Sequence, residues 1–550
     1  MRATKSIRWC HAVVAAFALA AAPLQAQHRP PPDSTGWDVT WYDLALRLSP
    51  ATESVAGMVR VQARPTTDSA AVLRLDLSDS LRVDSVLEAG ARVRYTHSGG
   101  RLSITPAPAR PAGAPLDVVV YYRGRPAGGL RFTSRAGSPA VASYGMPYSA
   151  RSWWPSKDTP ADKADSADIA ITVPEGLTAA SNGTLRDSSA TAGGRTFRWA
   201  VRYPIYPDVI SVAVARYAVI RDQYRPSGGR AMPLLFFVYP EDRAKAERDF
   251  SVVRRILPHY AALFGEYPFV REKYGIAEFP LHSFREHQTL PSYGAALITG
   301  DHRNDWIVAH ELAHQWFGNL VTARSWSDVW LHESFATYAY ALWREREGGD
   351  SAYTAALASF YQPSYEGSIV VPDTADLSRL FTATQFQKGA WVLHMLRHLM
   401  GDARFFGAIR SYLADHAYGT ATTADFERAC ERAYGAPLAW FFDEWLRDSL
   451  QPSYRATLEG AGAGRWTGQV VVRQLGPRPV TMPLELRIST PRGDTTLVVR
   501  DSLASQRFPL SLPGTPARVI VDPRNLVLKA PPDSAPDHEG DHRTRTRSGR

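Results

Sequence analysis

Two histidines four residues apart, His310 and His314, bracket a glutamate in the run His310-Glu311-Leu312-Ala313-His314, and Glu333 follows after an 18-residue gap. Residues at i and i+4 share one face of an α-helix, so both imidazoles can address a single cation. Glu333, on the next helix, supplies a third ligand. Two imidazoles and a carboxylate are the donor set of a catalytic zinc site with one position left open, so one zinc ion is the expected cofactor. A metal held there lowers the pKa of water and polarises a carbonyl. Glu311 is placed to accept the water's proton and pass it to a leaving amine. The implied chemistry is hydrolysis of an amide or ester. Spacing alone leaves open which bond is cut, and whether at chain ends or interiors.

Three regions must position these residues, since single cores stop growing near ~250–300 residues and this chain has 550. Residues 37–222 alternate apolar and polar, as in Tyr42-Asp43-Leu44-Ala45-Leu46-Arg47-Leu48, and read as an N-terminal β domain. After Pro226-Ser227-Gly228-Gly229 the pattern mixes strands with a helical stretch from Glu241 to Leu263, expected to break or kink at Pro258. From Asn304 to about Leu450 the chain reads as mainly helical, and 223–450 form the catalytic domain. Asn304 or Asp305 can cap the first metal helix and Gly318 end it. Ser327 can cap the second, which runs to Gly348-Gly349. Alternation returns over 451–529 as a small C-terminal β-sandwich. The expected fold class is therefore multidomain α+β. No internal repeat of solenoid period is visible.

Composition excludes several classes. A hydrophobic content of 45% with 21% charged residues is that of a globular protein. The net charge of +9 is spread along the chain, without the aromatic-interleaved basic stripe of a nucleic-acid binder. Arg2, Lys5 and Arg8, the apolar run Ala12 to Ala22 and the site at Leu24-Gln25-Ala26 predict a signal peptide over 1–26 and export to the periplasm or beyond. An uncleaved anchor is the alternative, against which the run is shorter than the ~20 residues that span a bilayer. No stable membrane span is expected after cleavage. Cys10 leaves with the signal, so Cys430 remains alone and is expected to be a buried apolar residue. The tail 530–550 reads as disordered.

The run from His310 through Gln315-Trp316-Phe317-Gly318-Asn319-Leu320-Val321-Thr322 resembles the metal helix of the gluzincin aminopeptidases, the family of alanyl and leucyl aminopeptidases. Arg151-Ser152-Trp153-Trp154-Pro155, Asp158-Thr159-Pro160, Lys163-Ala164 and Lys388-Gly389-Ala390-Trp391 extend the resemblance over roughly 37–450. It implies a saddle-shaped β domain, a thermolysin-like catalytic domain, peptide substrates, and removal of N-terminal residues. It also implies that Glu286, in Ser283-Phe284-Arg285-Glu286-His287-Gln288-Thr289, binds the substrate's free α-amine. Phe284 and Arg285 depart from the small and apolar residues usual there, and Arg285 can pair with Glu286 or repel an ammonium. Met146 occupies the place of a second amine-binding Glu or Gln. Phe386 stands where the family has a tyrosine that stabilises the tetrahedral oxyanion, and phenylalanine donates no hydrogen bond. Either the site works without that donor or another tyrosine, Tyr361 or Tyr365, reaches in.

Among smaller signals, His394 reads as core or surface, and His332 and Ser334 as tuning residues beside the third ligand. Trp306, Trp316, Phe317, Trp326 and Trp330 read as packing. The expectation is an exported zinc aminopeptidase. Its rivals are a catalytically impaired zinc-binding relative that binds peptides, and a hydrolase of other specificity. Nothing in the sequence sets an oligomeric state.

Overall fold

A computed structural model describes residues 36–144, 147–462 and 464–531. The expected signal peptide, Met146 and nearly all of the expected tail lie outside the described residues. The protein is a multidomain α+β molecule with β-sheets first, helices in the middle and β-sheets again at the C-terminal end.

Period-two alternation builds the first region. In the strand Trp37–Ser49, Trp37, Val39, Tyr42, Leu44, Leu46 and Leu48 point inward, as a half-buried strand requires. It pairs parallel with Ser166–Val173 and antiparallel with Ser54–Pro65, at the centre of an eight-stranded sheet. A four-stranded sheet of Thr178–Ser181, Val212–Ala215, Ser138–Ser143 and Leu130–Arg135 lies between it and the catalytic region. A five-stranded mixed sheet follows. Its order is Ala218–Tyr224, Met232–Val238, Tyr274–Phe279, Ser292–Gly294 and Phe284–Arg285. Two three-stranded sheets close the described chain, spanning Ser453–Ala461 to Arg518–Val521.

The helices are α1 (Arg243–Asp249), α2 (Val253–Phe264), α3 (Asp305–Ala313), α4 (Trp330–Phe360), α5 (Gly389–Met400), α6 (Asp402–Asp415) and α7 (Thr423–Tyr434), followed by one short turn of helix at Ala439–Phe442. The helical stretch does not break at Pro258, which lies inside α2; it breaks at the 3₁₀ turn Phe250–Val252. There the Asp249 carboxylate accepts from the backbone N–H groups of Thr299, Gly300 and His302 at 2.8–3.1 Å, tethering α1 to the loop that leads into α3. α4 does turn sharply at Gly348-Gly349, where both residues leave helical φ/ψ. No helix among the described residues is long and apolar enough to cross a membrane.

Two large cores share the interior. One joins the helices to the C-terminal sheets; the other fills the N-terminal sheets and takes in Phe237, Ala277, Leu290, Trp326 and Val329 from the catalytic region. The last two immediately precede α4, so the N-terminal core helps set where that helix starts.

Candidate active site

α3 is buried along Ile307–Ala313, with His310 on its last turn and His314 in the position that ends it. Asn304 precedes α3 without capping it, because its amide donates instead to the Leu297 carbonyl at 2.7 Å. After the helix the chain turns through Gly318 at φ +122°, where a Cβ would stand 3.3 Å from His332 Nδ1 and 3.6 Å from His314 Nδ1. Only glycine suits that conformation and that crowding. The return leg enters α4 through a 3₁₀ turn, Trp326–Asp328, capped by Ser325 and not by Ser327. Ser325 Oγ accepts from the Ser327 N–H, while the Ser327 hydroxyl donates to the Val371 carbonyl. Glu333 therefore sits in the first turn of α4 and faces the two histidines.

Their ligand atoms converge. His310 Nε2 and His314 Nε2 are 3.0 Å apart, and Glu333 Oε2 lies 3.4 and 3.5 Å from them. All three residues are buried, and they are the one such His/Cys/Asp/Glu group among the described residues. Ligands ~2.0–2.1 Å from a tetrahedral zinc ion stand roughly 3.3 Å from each other, so this triangle fits that ion. His314 Nδ1 is 3.0 Å from the Phe317 carbonyl, a contact that places the ring proton on Nδ1 and leaves the Nε2 lone pair for a metal.

Charge gives the same answer. Burial disfavours protonation of His314, yet the carboxylates of Glu333, Glu286 and Glu311 outweigh it and lift its pKa to about 10. Burial also drives Glu311 well above the usual carboxylate range. Glu311 Oε2 and Glu286 Oε1 are buried without a hydrogen-bond partner. A cavity with this excess of negative charge is completed by a cation.

The Glu286 segment is pinned to the turn that follows α3. Asn319 donates to the Glu286 carbonyl at 2.8 Å, and the Gln315 side chain accepts from the Thr289 N–H at 2.9 Å. Lys163, from the N-terminal region, donates to the carbonyls of Asn319 and Leu320 at 2.6 and 3.3 Å. Gln315, Asn319 and Lys163 belong to the family-like motifs, but their roles rest on contacts across up to 157 positions that no local pattern records. Arg285 donates to Ser283 Oγ and the Phe284 carbonyl, and its guanidinium lies 4.4 Å from the centre of the Tyr144 ring.

Phe386 stands beside the first of the two histidines. It lies in a π-helical turn, Thr384–Lys388, with its ring 5.9 Å from that of His310 and inclined by 11°. Such turns recur at functional sites. The Ser334 hydroxyl donates to the Gln385 carbonyl, and a Cβ on Gly389 would collide with that hydroxyl at 1.7 Å, so Ser334 and Gly389 fix the turn together. Neither alternative tyrosine faces the gap: Tyr361 donates to the Lys529 carbonyl and Tyr365 to that of Phe360. His332 Nε2 accepts from the Ala323 N–H at 2.8 Å, buttressing α4 behind Glu333. His394 is paired with Tyr353, and Trp316, Phe317, Trp326 and Trp330 are buried packing.

Residues 278–445 match the Peptidase family M1 domain. The segment that holds the metal triad is thus similar to the domain of peptidase family M1. Probable aminopeptidase 2 of Sulfurisphaera tokodaii is 26% identical over 337 residues, which cover 57% of this chain and 42% of that protein. Glutamyl aminopeptidase of Bos taurus is 28% identical over 243 residues, covering 40% and 25%. The chain thus spans less than half the length of these curated relatives. Among solved structures, an M1 zinc metallopeptidase from Deinococcus radiodurans matches with a TM-score of 0.64 at 25% identity, covering 76% of this chain and 94% of that one. Legionella pneumophila aminopeptidase A, solved with aspartic acid, shares the fold at a TM-score of 0.76 and 19% identity, covering 89% and 58%.

Proposed function

We propose that this chain is an exported zinc aminopeptidase that removes N-terminal residues from peptides. The observation that carries the reading is the convergence of His310, His314 and Glu333 with two further buried carboxylates, Glu311 and Glu286, beside them. Zinc bound by the triad would polarise the scissile carbonyl and acidify water. Glu311 then takes the proton and returns it to the departing amine. Glu286, with one buried oxygen lacking a partner, receives the substrate's α-ammonium and so measures one residue from the chain end. Burial of the whole group strengthens each of these charged contacts. The positive N-terminal stretch and apolar run of residues 1–26 support export.

Turnover of aminoacyl-anilides by purified protein, with and without a chelator, tests the reading. Chelator-sensitive hydrolysis of free but not N-acetylated substrates is expected. Equal cleavage of both forms would instead indicate an endopeptidase or esterase. One observation favours the second reading, a zinc-binding relative of weak activity: the ring beside His310 belongs to a phenylalanine. Metal-dependent peptide binding without turnover would establish it.

A further inference from the structure

We propose that His287 is a positioning residue for Glu286, holding between two serines the segment whose carboxylate receives the substrate's α-ammonium. The proposal rests on the aminopeptidase reading and deepens it. A carboxylate that marks the chain end must keep its distance from the metal triad, so its backbone has to be fixed. One anchor is the Asn319 amide on the Glu286 carbonyl. The His287 ring, 2% exposed, supplies a second. Its Nδ1 lies 3.0 Å from Ser292 Oγ and its Nε2 3.3 Å from Ser143 Oγ. Ser292 opens the strand Ser292–Gly294 and is paired in register with Arg285, so the ring closes a loop around Glu286 itself. Ser143 ends the strand Ser138–Ser143 of the N-terminal region.

Both serines are buried, and each ring nitrogen meets one hydroxyl. Ser143 Oγ also accepts from the Val212 N–H at 2.9 Å, an arrangement that favours giving its own proton to Nε2 and keeping the ring proton on Nδ1, toward Ser292. Burial holds the imidazole neutral, with its pKa lowered to about 3, so the pattern persists through the neutral range. An apolar residue of similar size would fill the space and make neither bond. The two residues that follow continue the seam. Asn182 donates to the Gln288 carbonyl at 2.5 Å, and the Thr289 hydroxyl accepts from the Gly183 N–H at 2.9 Å. His287 is the member of this seam adjacent to Glu286. Through it the N-terminal sheets hold the ruler with which the catalytic region measures one residue.

The test removes the two bonds and reads the amine. In zinc-loaded full-length protein, His287→Leu should raise KM for an alanyl anilide roughly tenfold, the worth of one to two hydrogen bonds. The change in kcat should be smaller, because the ammonium is held in ground and transition states alike. His287→Asn, which can still donate to Ser292, should fall between. Calorimetric binding of Ala-Ala-Ala to zinc-loaded Glu311→Gln protein should show the same loss when His287→Leu is added, while its N-acetyl form binds as before. Ser143→Ala should weaken binding beside an intact His287 and do little beside His287→Leu, since the two act through one bond. Unchanged KM and affinity in His287→Leu, loss of its zinc, or an equal loss for the acetylated peptide overturns the proposal. If His287→Leu does not fold, His287→Asn and Ser143→Ala decide. Glu286→Gln separately tests the aminopeptidase reading: discrimination against the acetylated peptide that survives this change refutes amine binding by Glu286, so the two failures are distinguishable.

Discussion

Restoring a hydroxyl at the active-site ring is the sharpest test of the geometry. In Phe386→Tyr the new O–H projects from a ring that already lies nearly parallel to His310 at 5.9 Å, on a turn held by Ser334 and Gly389. The position is half-buried, and the substitution keeps the aromatic ring that the turn already holds. A single oxyanion donor is worth ~10²–10³ in turnover, or ~3–4 kcal/mol. The turn here is set for a ring without a polar end, and an off-ideal donor retains part of that value. A gain of about 10–100-fold, roughly 1.4–2.7 kcal/mol, is expected. Because the oxyanion exists only in the transition state, the gain should fall on kcat and leave KM nearly unchanged. Steady-state hydrolysis of an aminoacyl-p-nitroanilide, corrected for the chelator-treated background, reads it directly. A loss of turnover would refute the placement of Phe386 in the reaction site. No change in an active enzyme would show that the oxyanion is already served by another group.

Glu333→Ala should retain much less zinc by elemental analysis, since it removes one corner of the ligand triangle; stoichiometric metal in that variant would exclude Glu333 from the site. Glu311→Gln should keep its metal and lose most turnover, because an amide accepts no proton; wild-type turnover would remove Glu311 as the base. Burial lifts the Glu278 carboxyl from 4.5 to about 8, with nearby Asp242 adding to the rise against a hydrogen bond from the Tyr239 N–H. Between those values the folded chain holds a proton that the unfolded chain has released. Stability should therefore fall as pH rises through this window, by up to about 1.4 kcal/mol per pH unit. Glu278→Gln should flatten the slope in urea midpoints taken at about pH 5 and pH 8, and an unchanged slope would refute the assignment.

The metal triad was legible because helical periodicity turns sequence spacing into geometry: His310 and His314 must share a face, and Glu333 needed only one return leg. Phe386 and Glu286 were legible through resemblance, and both stand beside the histidines. Details governed by distant partners were not. Ser325 and Ser327 satisfy the same local capping rule, and the choice falls to Ser325 because Val371, 44 residues away, takes the Ser327 hydroxyl. Pro258 looked like a break because proline removes one helical hydrogen bond, yet α2 continues through it while the Asp249 tether bends the chain earlier. Lys163 and Asn319 show the same limit, since nothing near either in sequence announces the carbonyl it finds.

The way the N-terminal core reaches into the catalytic region bears on modularity. Phe237, Ala277, Leu290, Trp326 and Val329 are part of that core, and Lys163 grips the carbonyls just beyond the metal helix. A fragment cut at residue 223 would bare those five apolar side chains to water and release the segment that orients Glu286. The reaction centre is thus not a self-sufficient cassette on a replaceable support: transplanting it requires carrying the preceding sheets along, and changes in either half are filtered through the other.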